Sequence, residues 1–312
     1  MSTAEGIAPV SVARGYFALQ AVGGVAWWVA VAASADVRVW TLGHWDPTIL
    51  VWPDLVLFVG ASALAAAFGN RIAAVIAAVW TTAVTVALAL YGLVEQTAGW
   101  GVVLMAVATL GTLAAAATIW FGALPIGWFF VGPFSFRVAE EASDARHLRR
   151  SLAQLVVFWT MFFVVVPLAL VVVERLLQLS WHVLDQEGVR LAGAATFILG
   201  SALGLSACMT MAWRGKGTPL PAETARELVV TGPYRSVRNP MALAGLLQTV
   251  GVGLVVGSWM VLAIAAAGVL VWNVFIRPTE EADLAVRFGE SYRLYAEQVR
   301  CWVPACGRHA VE

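Results

Sequence analysis

Long runs of apolar residues, separated by short polar segments, make up most of this 312-residue chain. Each run approaches the roughly 20 residues that an α-helix needs to cross the hydrocarbon core of a bilayer. The pattern therefore predicts an all-α, polytopic transmembrane protein with about eight membrane helices. The predicted spans cover residues 14–34, 49–69, 72–94, 101–124, 152–173, 190–212, 240–257 and 259–276.

The last two predicted spans are short, and only Gly257 and Ser258 separate them, which predicts a tight C-terminal helical hairpin. The apolar run ends at Arg277-Pro278, where we expect the helix to stop and a second one to begin. Apolar and aromatic residues then recur at steps of three or four, which indicates one continuous helix face. These residues are Leu284, Phe288, Tyr292, Tyr295, Val299 and Trp302. They predict an amphipathic C-terminal helix that lies on the cytoplasmic side of the membrane.

The distribution of basic residues predicts the orientation. Of 19 lysines and arginines, only Arg38, Arg175 and Arg190 fall in one of the two alternating sets of connecting segments. Because cytoplasmic loops carry the excess of positive charge, the richer set is assigned to the cytoplasm, with both termini. The alanine-, valine- and arginine-rich composition suggests the plasma membrane of a bacterium.

Composition also limits the expected partners. The formal net charge is zero, so no nucleic-acid partner is expected. Cys301 and Cys306 lack the spacing of a metal site, and no metal is predicted.

Asp54, near the start of the second span, is interpreted as solvated at the membrane interface. Gly200-x-x-x-Gly204 in the sixth span predicts the close approach of another helix.

Residues 231–241 form a polar, turn-rich insert between apolar runs. Gly232-Pro233 and Asn239-Pro240 are turn signals, because a proline disfavours the α conformation of the residue before it. Pro240 suits the first turn of the helix that follows. The insert therefore holds polar side chains against the end of a hydrophobic helix. These side chains are Tyr234, Arg235, Arg238 and Asn239.

Residues 232–241 resemble the signature of the isoprenylcysteine carboxyl methyltransferase and phospholipid methyltransferase superfamily. A second block of that signature follows in the right order, from Arg277 to Glu281 and on through Leu284 and Phe288-Gly289. The resemblance covers residues 186–312, which we predict to form a membrane methyltransferase core. Residues 1–185 would form an N-terminal transmembrane domain of unassigned role.

The superfamily consists of integral-membrane enzymes that use S-adenosylmethionine. The resemblance implies methyl transfer to a lipophilic small molecule or lipid that enters from the bilayer, with S-adenosylhomocysteine as product. It also implies a set of cofactor-binding residues. They are Tyr234, Arg235, Asn239, Pro240, Met241, Arg277, Glu280, Glu281 and Leu284.

The residue types agree with this chemistry. S-adenosylmethionine carries a sulfonium, an ammonium, a carboxylate and an adenine, which call for acids, donors and an apolar wall. Glu280 and Glu281 supply the acids, and Arg277 lies one helical turn before Glu281 and can hold it. Arg238, Asn239 and Arg300 are the candidate catalytic residues that would orient the acceptor.

The nature of the acceptor is a separate question. A carboxylate is already ionised at neutral pH, whereas a thiol or amine needs a proton acceptor, and the polar residues offer no obvious one. A carboxylate acceptor is therefore favoured. Asn239 stands where the superfamily often has histidine, and Ala242 where it usually has tyrosine. Since asparagine cannot titrate near neutral pH, these departures affect the expected substrate more than the expected cofactor.

Two other functions are compatible with the sequence. One is an NADPH-dependent membrane reductase of the sterol reductase type, which resembles the superfamily in its C-terminal helices. The other is a non-catalytic membrane homologue, such as a transporter. The Glu280-Glu281 pair favours a positively charged cofactor over NADPH.

Overall fold

The computed structural model describes residues 9–125, 156–215 and 226–304. Every regular element within these ranges is helical, which confirms the predicted all-α class. The main helices are α1 (Val10–Ala33), α2 (Ala35–Leu42), α3 (Pro47–Phe68), α4 (Arg71–Glu95), α5 (Gly99–Phe121), α6 (Val156–Leu176), α7 (Glu187–Arg214), α8 (Pro240–Val256), α9 (Trp259–Val271) and α10 (Arg277–Gln298).

Seven helical runs in the described residues are long and apolar enough to cross a membrane. They are α1, α3, α4, α5, α6, α7 and the run Trp259–Gln298, which contains α9 and α10. The apolar helix α8, at 17 residues, is shorter. Together these helices match the eight predicted spans, and the protein is an integral membrane protein. The chain termini lie outside the described residues, so their cytoplasmic placement stays a prediction.

The described residues form two compact units, one of residues 9–125 and 173–179, the other of residues 156–172 and 180–304. All the candidate site residues belong to the second unit. This unit also contains the first part of α6, which precedes the predicted functional boundary at residue 185. That boundary stays a prediction, but the structural unit around the candidate site is larger than residues 186–312.

Asp54, in the first unit, was expected to be solvated, but the structure shows that it is buried. Its Oδ2 accepts a hydrogen bond from Trp28 Nε1 at 2.7 Å, and its Oδ1 accepts one from Trp80 Nε1 at 2.8 Å. A buried carboxyl group needs such donors because it has lost its hydration. The sequence interpretation was wrong because tryptophans distant along the chain supply them.

The predicted C-terminal hairpin is confirmed. Gly257 ends α8 with a φ of 67°, a left-handed conformation that glycine adopts without strain. Ser258 begins α9, and its hydroxyl accepts a hydrogen bond from the Val261 N–H at 3.3 Å. These two residues are sufficient to reverse the chain between the helices.

The expected helix break at Arg277-Pro278 is absent. A π-turn, Trp272–Ile276, joins α9 to α10, and the Arg277 N–H bonds to the Trp272 carbonyl. A proline inside a helix lacks one donor and clashes with a carbonyl of the preceding turn, and the wider π-turn accommodates Pro278 by displacing those carbonyls. The helix instead kinks at Gly289, where φ is 55°.

The amphipathic character of α10 is confirmed by its packing. Tyr292, Tyr295 and Val299 are buried and pack with Leu228 and Val230 from the segment before the polar insert. The face predicted from the three- and four-residue spacing is therefore the one that packs against the rest of the second unit.

The contact between α7 and α8 depends on glycines. A Cβ atom on Gly193 would lie 2.8 Å from the Gly251 carbonyl oxygen, and one on Gly200 would lie 3.0 Å from the Leu247 Cβ. The two backbones approach too closely for larger side chains at these positions. The close approach predicted for Gly200-x-x-x-Gly204 is therefore confirmed, and Gly193 extends it along α7.

We expect Gly193→Ala to lower the free energy of unfolding in detergent by about 1–3 kcal/mol, because the added methyl group forces two backbones apart. Gly188→Ala is the matched control on the same helix, since a Cβ there meets nothing within 4 Å. Thermal unfolding of both variants measures the difference. Equal melting temperatures would show that this contact does not limit the stability of the second unit.

Candidate functional site

A hydrogen bond from a tyrosine hydroxyl group of α10 connects this helix to the polar insert. Residues Gly232–Arg235 form a 3₁₀ turn that begins with Gly232 at a φ of 59°. Tyr234 is buried, and its carbonyl oxygen accepts a hydrogen bond from the Tyr295 hydroxyl at 2.6 Å. This bond joins the two sequence blocks 61 residues apart.

Asn239 begins α8 and also reaches α10. Its Oδ1 accepts a hydrogen bond from the Ala242 N–H at 2.9 Å, which caps the helix, and Pro240 occupies the first turn. The side-chain amide Nδ2 donates to Glu280 Oε2 at 3.3 Å. One asparagine thus satisfies a helix N-terminus and contacts an acid of the second block.

Glu281 forms an ion pair that connects the two sequence blocks and a second ion pair within α10. Its Oε1 lies 2.9 Å from Arg277 Nε, one turn earlier in α10, and 3.3 Å from Arg238 Nη2 in the polar insert. We call these three residues the Glu281 clasp. The Arg277 contact is a charge-assisted hydrogen bond, which is stronger than a neutral one, and the Arg238 contact is an ion pair, so both guanidinium groups are held at the shared carboxylate.

Glu280, the neighbouring acid, forms no ion pair with any of the residues that the structure describes. It lies beyond the apolar span, on the charged first turn of α10. Burial, together with the negative charges of Glu281 and Asp283, raises the pKa of the Glu280 carboxyl to about 7. Two acids adjacent in sequence therefore have different electrostatic surroundings.

Residues 299–304, which we call the C-terminal strap, follow α10 and contact the same region. The Arg300 carbonyl accepts a hydrogen bond from the Arg238 N–H at 3.0 Å. Trp302 Nε1 donates to Asn273 Oδ1 at 3.0 Å, and Cys301 is buried. The strap therefore connects the polar insert to the end of the α9 span.

These elements surround a cavity of about 560 Å³, within the range of small-molecule sites. Its polar residues include Tyr234, Arg238, Asn239, Arg277, Glu280, Glu281, Asp283, Tyr292 and Tyr295. Its apolar residues from α6, α8 and α9 include Phe158, Phe162, Pro167, Leu170, Ala242, Gly245, Ile264 and Gly268. The cavity is thus amphipathic, with charges on some walls and alkyl or aromatic groups on the others.

Most of the predicted site residues line this cavity. They are Tyr234, Arg238, Asn239, Met241, Arg277, Glu280, Glu281 and Leu284. Three others do not line it. Arg235 is exposed at the end of the 3₁₀ turn, Pro240 is buried in the first turn of α8, and Arg300 has an exposed side chain and contributes its backbone carbonyl.

The α6 residues of the cavity wall were missed in the sequence. Phe158, Phe162 and Leu170 lie in an apolar run like any other span, and no local signal distinguishes them from lipid-facing residues. Their contribution follows from the packing of α6 in the second unit, which sequence spacing alone does not reveal.

The buried tyrosines of the cavity are donors at neutral pH. Burial and the nearby Glu281 carboxylate raise the pKa of Tyr292 to about 12, and burial also raises the pKa of Tyr234 and Tyr295. These hydroxyls therefore keep their protons and cannot serve as bases near pH 7. The pKa of the Glu280 carboxyl, in contrast, is raised into the neutral range.

A larger cavity, about 930 Å³, lies between α4 and α5 in the first unit. None of its lining residues is ionisable, so it offers nothing to orient a charged ligand. Within the described ranges, no three His, Cys, Asp or Glu side chains are grouped to hold a metal ion. The second-unit cavity is therefore the candidate site for a charged organic cofactor.

Part of the chain is similar to a known protein family. Residues 189–291 match the family model described as phospholipid methyltransferase. No curated protein and no solved structure matches the chain significantly.

The matched segment runs from α7 into α10 and contains the polar insert, the hairpin and the whole Glu281 clasp. The family is one of membrane methyltransferases, in agreement with the spans found here. Over residues 189–291, about a third of its length, the chain is similar to the phospholipid methyltransferase family, in agreement with the superfamily that its two sequence blocks resemble.

Proposed function

We propose that this protein is an integral-membrane methyltransferase that transfers a methyl group from S-adenosylmethionine to a lipophilic acceptor. The observation that carries the proposal is the amphipathic cavity in which Glu280, without an ion-pair partner among the described residues, lies beside the Glu281 clasp. The family match over residues 189–291 supports the class of reaction.

The polar residues of the cavity fit the cofactor. Glu280 is a carboxyl group available to the ammonium or sulfonium, because it has no cation of its own. The Nε–H of Arg238 has no hydrogen-bond partner among the described residues, so this guanidinium retains a donor for the cofactor carboxylate. Leu284, Phe288 and Tyr292 offer an apolar and aromatic wall for the adenine.

The Glu281 clasp would act indirectly. Because both guanidinium groups already bond to its Oε1, Glu281 is better placed to hold Arg238 and Arg277 than to contact the cofactor itself. We therefore assign the cofactor contact to Glu280 and a positioning role to Glu281.

The apolar walls would receive the acceptor. Bound S-adenosylmethionine supplies an electrophilic methyl group on its sulfonium. The protein's contribution is to align the acceptor with that group and to exclude water, which the alkyl and aromatic side chains of α6, α8 and α9 favour. An amphiphilic molecule suits a cavity with this lining.

The carboxylate acceptor stays a prediction. Glu280, with its pKa raised to about 7, is the group assigned here to the cofactor, so it does not by itself provide a base for an amine or thiol. The proposal therefore specifies a lipophilic acceptor without restricting the methylated atom.

An NADPH-dependent reductase is a weaker alternative. A 2′-phosphate calls for several free cations, whereas Arg277 is paired with Glu281 and Arg287 with Asp283, and Arg238 keeps only its Nε–H available. Acids in the cavity wall favour a positively charged cofactor.

Glu280→Gln should weaken the binding of S-adenosylhomocysteine by about 10- to 100-fold, because it removes a charge-assisted hydrogen bond to the ammonium. Isothermal titration of the purified protein measures the affinity. Glu290→Gln is the matched control, since Glu290 lies on the same helix, is exposed and does not line the cavity. An unchanged affinity in Glu280→Gln would contradict the assigned contact, and binding of NADPH instead would contradict the proposed class.

The affinity for S-adenosylhomocysteine should fall below about pH 7, by up to tenfold per pH unit. The pKa of Glu280 is raised to about 7, so at lower pH the carboxyl is protonated and must lose its proton to pair with the ammonium. Titrations between about pH 5.5 and 8.5 test this. Glu280→Gln should show a weak affinity without this slope, and a sloping profile in the variant would assign the titration to another group.

The two acids should have opposite effects on stability. Because the pKa of Glu280 is raised from 4.5 to about 7, its ionised form destabilises the folded protein. Glu280→Gln should therefore raise the melting temperature increasingly from about pH 4.5 to 7, with a plateau above that range. Glu281→Ala should lower the free energy of unfolding by about 1 kcal/mol at pH 7.5, because it leaves two guanidinium groups without their shared partner. If both substitutions raised or both lowered the stability of the folded protein, the two acids would not have opposite effects.

A further inference from the structure

Asn273 lies in the π-turn that joins α9 to α10. Both polar atoms of its side chain, Nδ2 and Oδ1, form hydrogen bonds. Its Nδ2 donates to the Val269 carbonyl at 2.9 Å. Its Oδ1 accepts from Trp302 Nε1 at 3.0 Å and from Arg277 Nη1 at 3.4 Å. Since tryptophan and arginine side chains can only donate, the amide orientation is fixed by its partners.

The two donors that meet at Asn273 belong to different parts of the site. Arg277 is a member of the Glu281 clasp, and Trp302 is in the C-terminal strap. A polar side chain at the end of an apolar span is costly unless its groups are bonded. Asn273 is therefore the point at which the clasp, the strap and the membrane helix are held together.

The strap covers part of the cavity. Cys301 and Trp302 line it, and Val299 packs with Tyr292 and Tyr295. Besides the bond from Trp302 to Asn273, the strap is held by the bond between the Arg300 carbonyl and the Arg238 N–H. Loss of either bond would loosen the wall beside the clasp.

We propose that Asn273 is a positioning residue for the cofactor site, an inference that rests on the proposed function. Through Arg277 it helps to orient Glu281, and through Trp302 it keeps the strap against the cavity. Asn273 itself does not line the cavity, so it acts through these two neighbours.

The buried thiol of Cys301 gives a direct readout of the strap. Burial raises the pKa of this thiol, and a closed strap shields it from reagents. Opening of the strap should therefore be measurable as the rate at which N-ethylmaleimide modifies Cys301. Cys208, buried in α7, is an internal reference that should not respond.

The experiment compares Asn273→Leu, Asn273→Asp and Trp302→Phe with wild type. Leucine has the branched shape of asparagine but no acceptor, aspartate keeps the acceptor oxygens, and phenylalanine removes the indole N–H. Trp213→Phe is the matched control, because Trp213 is exposed on α7 and outside the cavity wall. S-adenosylhomocysteine affinity is measured by titration, and Cys301 modification by mass spectrometry with and without that ligand.

We expect Asn273→Leu to raise the Kd for S-adenosylhomocysteine about tenfold and Trp302→Phe to raise it about fivefold. Cys301 should react faster by similar factors in both variants, and the ligand should slow its reaction in wild type. Asn273→Asp keeps the acceptor for Trp302 and Arg277 but loses the donor to the Val269 carbonyl, so it should be impaired less than Asn273→Leu. If Asn273→Leu does not fold, Trp302→Phe still tests the strap.

Two results would overturn the inference: unchanged affinity and Cys301 reactivity in the folded variants, or an Asn273→Asp variant as impaired as Asn273→Leu. A wild-type protein that fails to bind S-adenosylhomocysteine would count against the proposed function instead. In that case the Cys301 rates would still show whether Asn273 holds the strap.

Discussion

The ion pairs of Glu281 with Arg238 and Arg277 are the interaction on which the second unit's polar half depends. The pair with Arg238, at 3.3 Å, connects α10 to the polar insert across 43 residues of sequence, and the pair with Arg277, at 2.9 Å, lies within α10. Both guanidinium groups pair with Glu281, whereas the neighbouring Glu280 has no ion-pair partner among the described residues. The cavity wall therefore contains one ion-paired acid beside one that is not ion-paired.

Two adjacent glutamates thus differ in role because a helix separates their side chains by about 100°. Glu281 faces the arginines and is neutralised, whereas Glu280 faces the Asn239 amide and keeps an acceptor available. An unpaired buried carboxyl group destabilises a folded protein, and such a cost is common at binding sites, where the ligand provides the missing charge. The family match over the same residues agrees with this interpretation.

The membrane helices were predictable from the sequence because the bilayer sets a length that each apolar run must reach. The hairpin was predictable because Gly257 and Ser258 are residues that end and begin helices. The π-turn was not, since Pro278 is an ordinary helix-breaking signal unless the preceding turn widens. Nor were the partners of Asp54, the contribution of α6 to the cavity or the exposed position of the Arg300 side chain, because each depends on residues distant in sequence. Within the candidate site, the motif gave the residue types, and packing decided which of them reach the cavity.

The continuous helix from α9 through the π-turn into α10 determines the distance between the apolar and the charged residues of the site. Ile264 and Gly268 of its apolar part and Glu280 of its charged part line the same cavity. Twelve residues separate Gly268 from Glu280, so their levels along the axis differ by about 18 Å. An insertion of one residue between them would turn the acids by about 100° away from the cavity, unless a wider turn absorbed it. The π-turn is a turn of that kind, so the distance from the apolar part of the site to its charged part is set by helical phase and can change only in discrete steps.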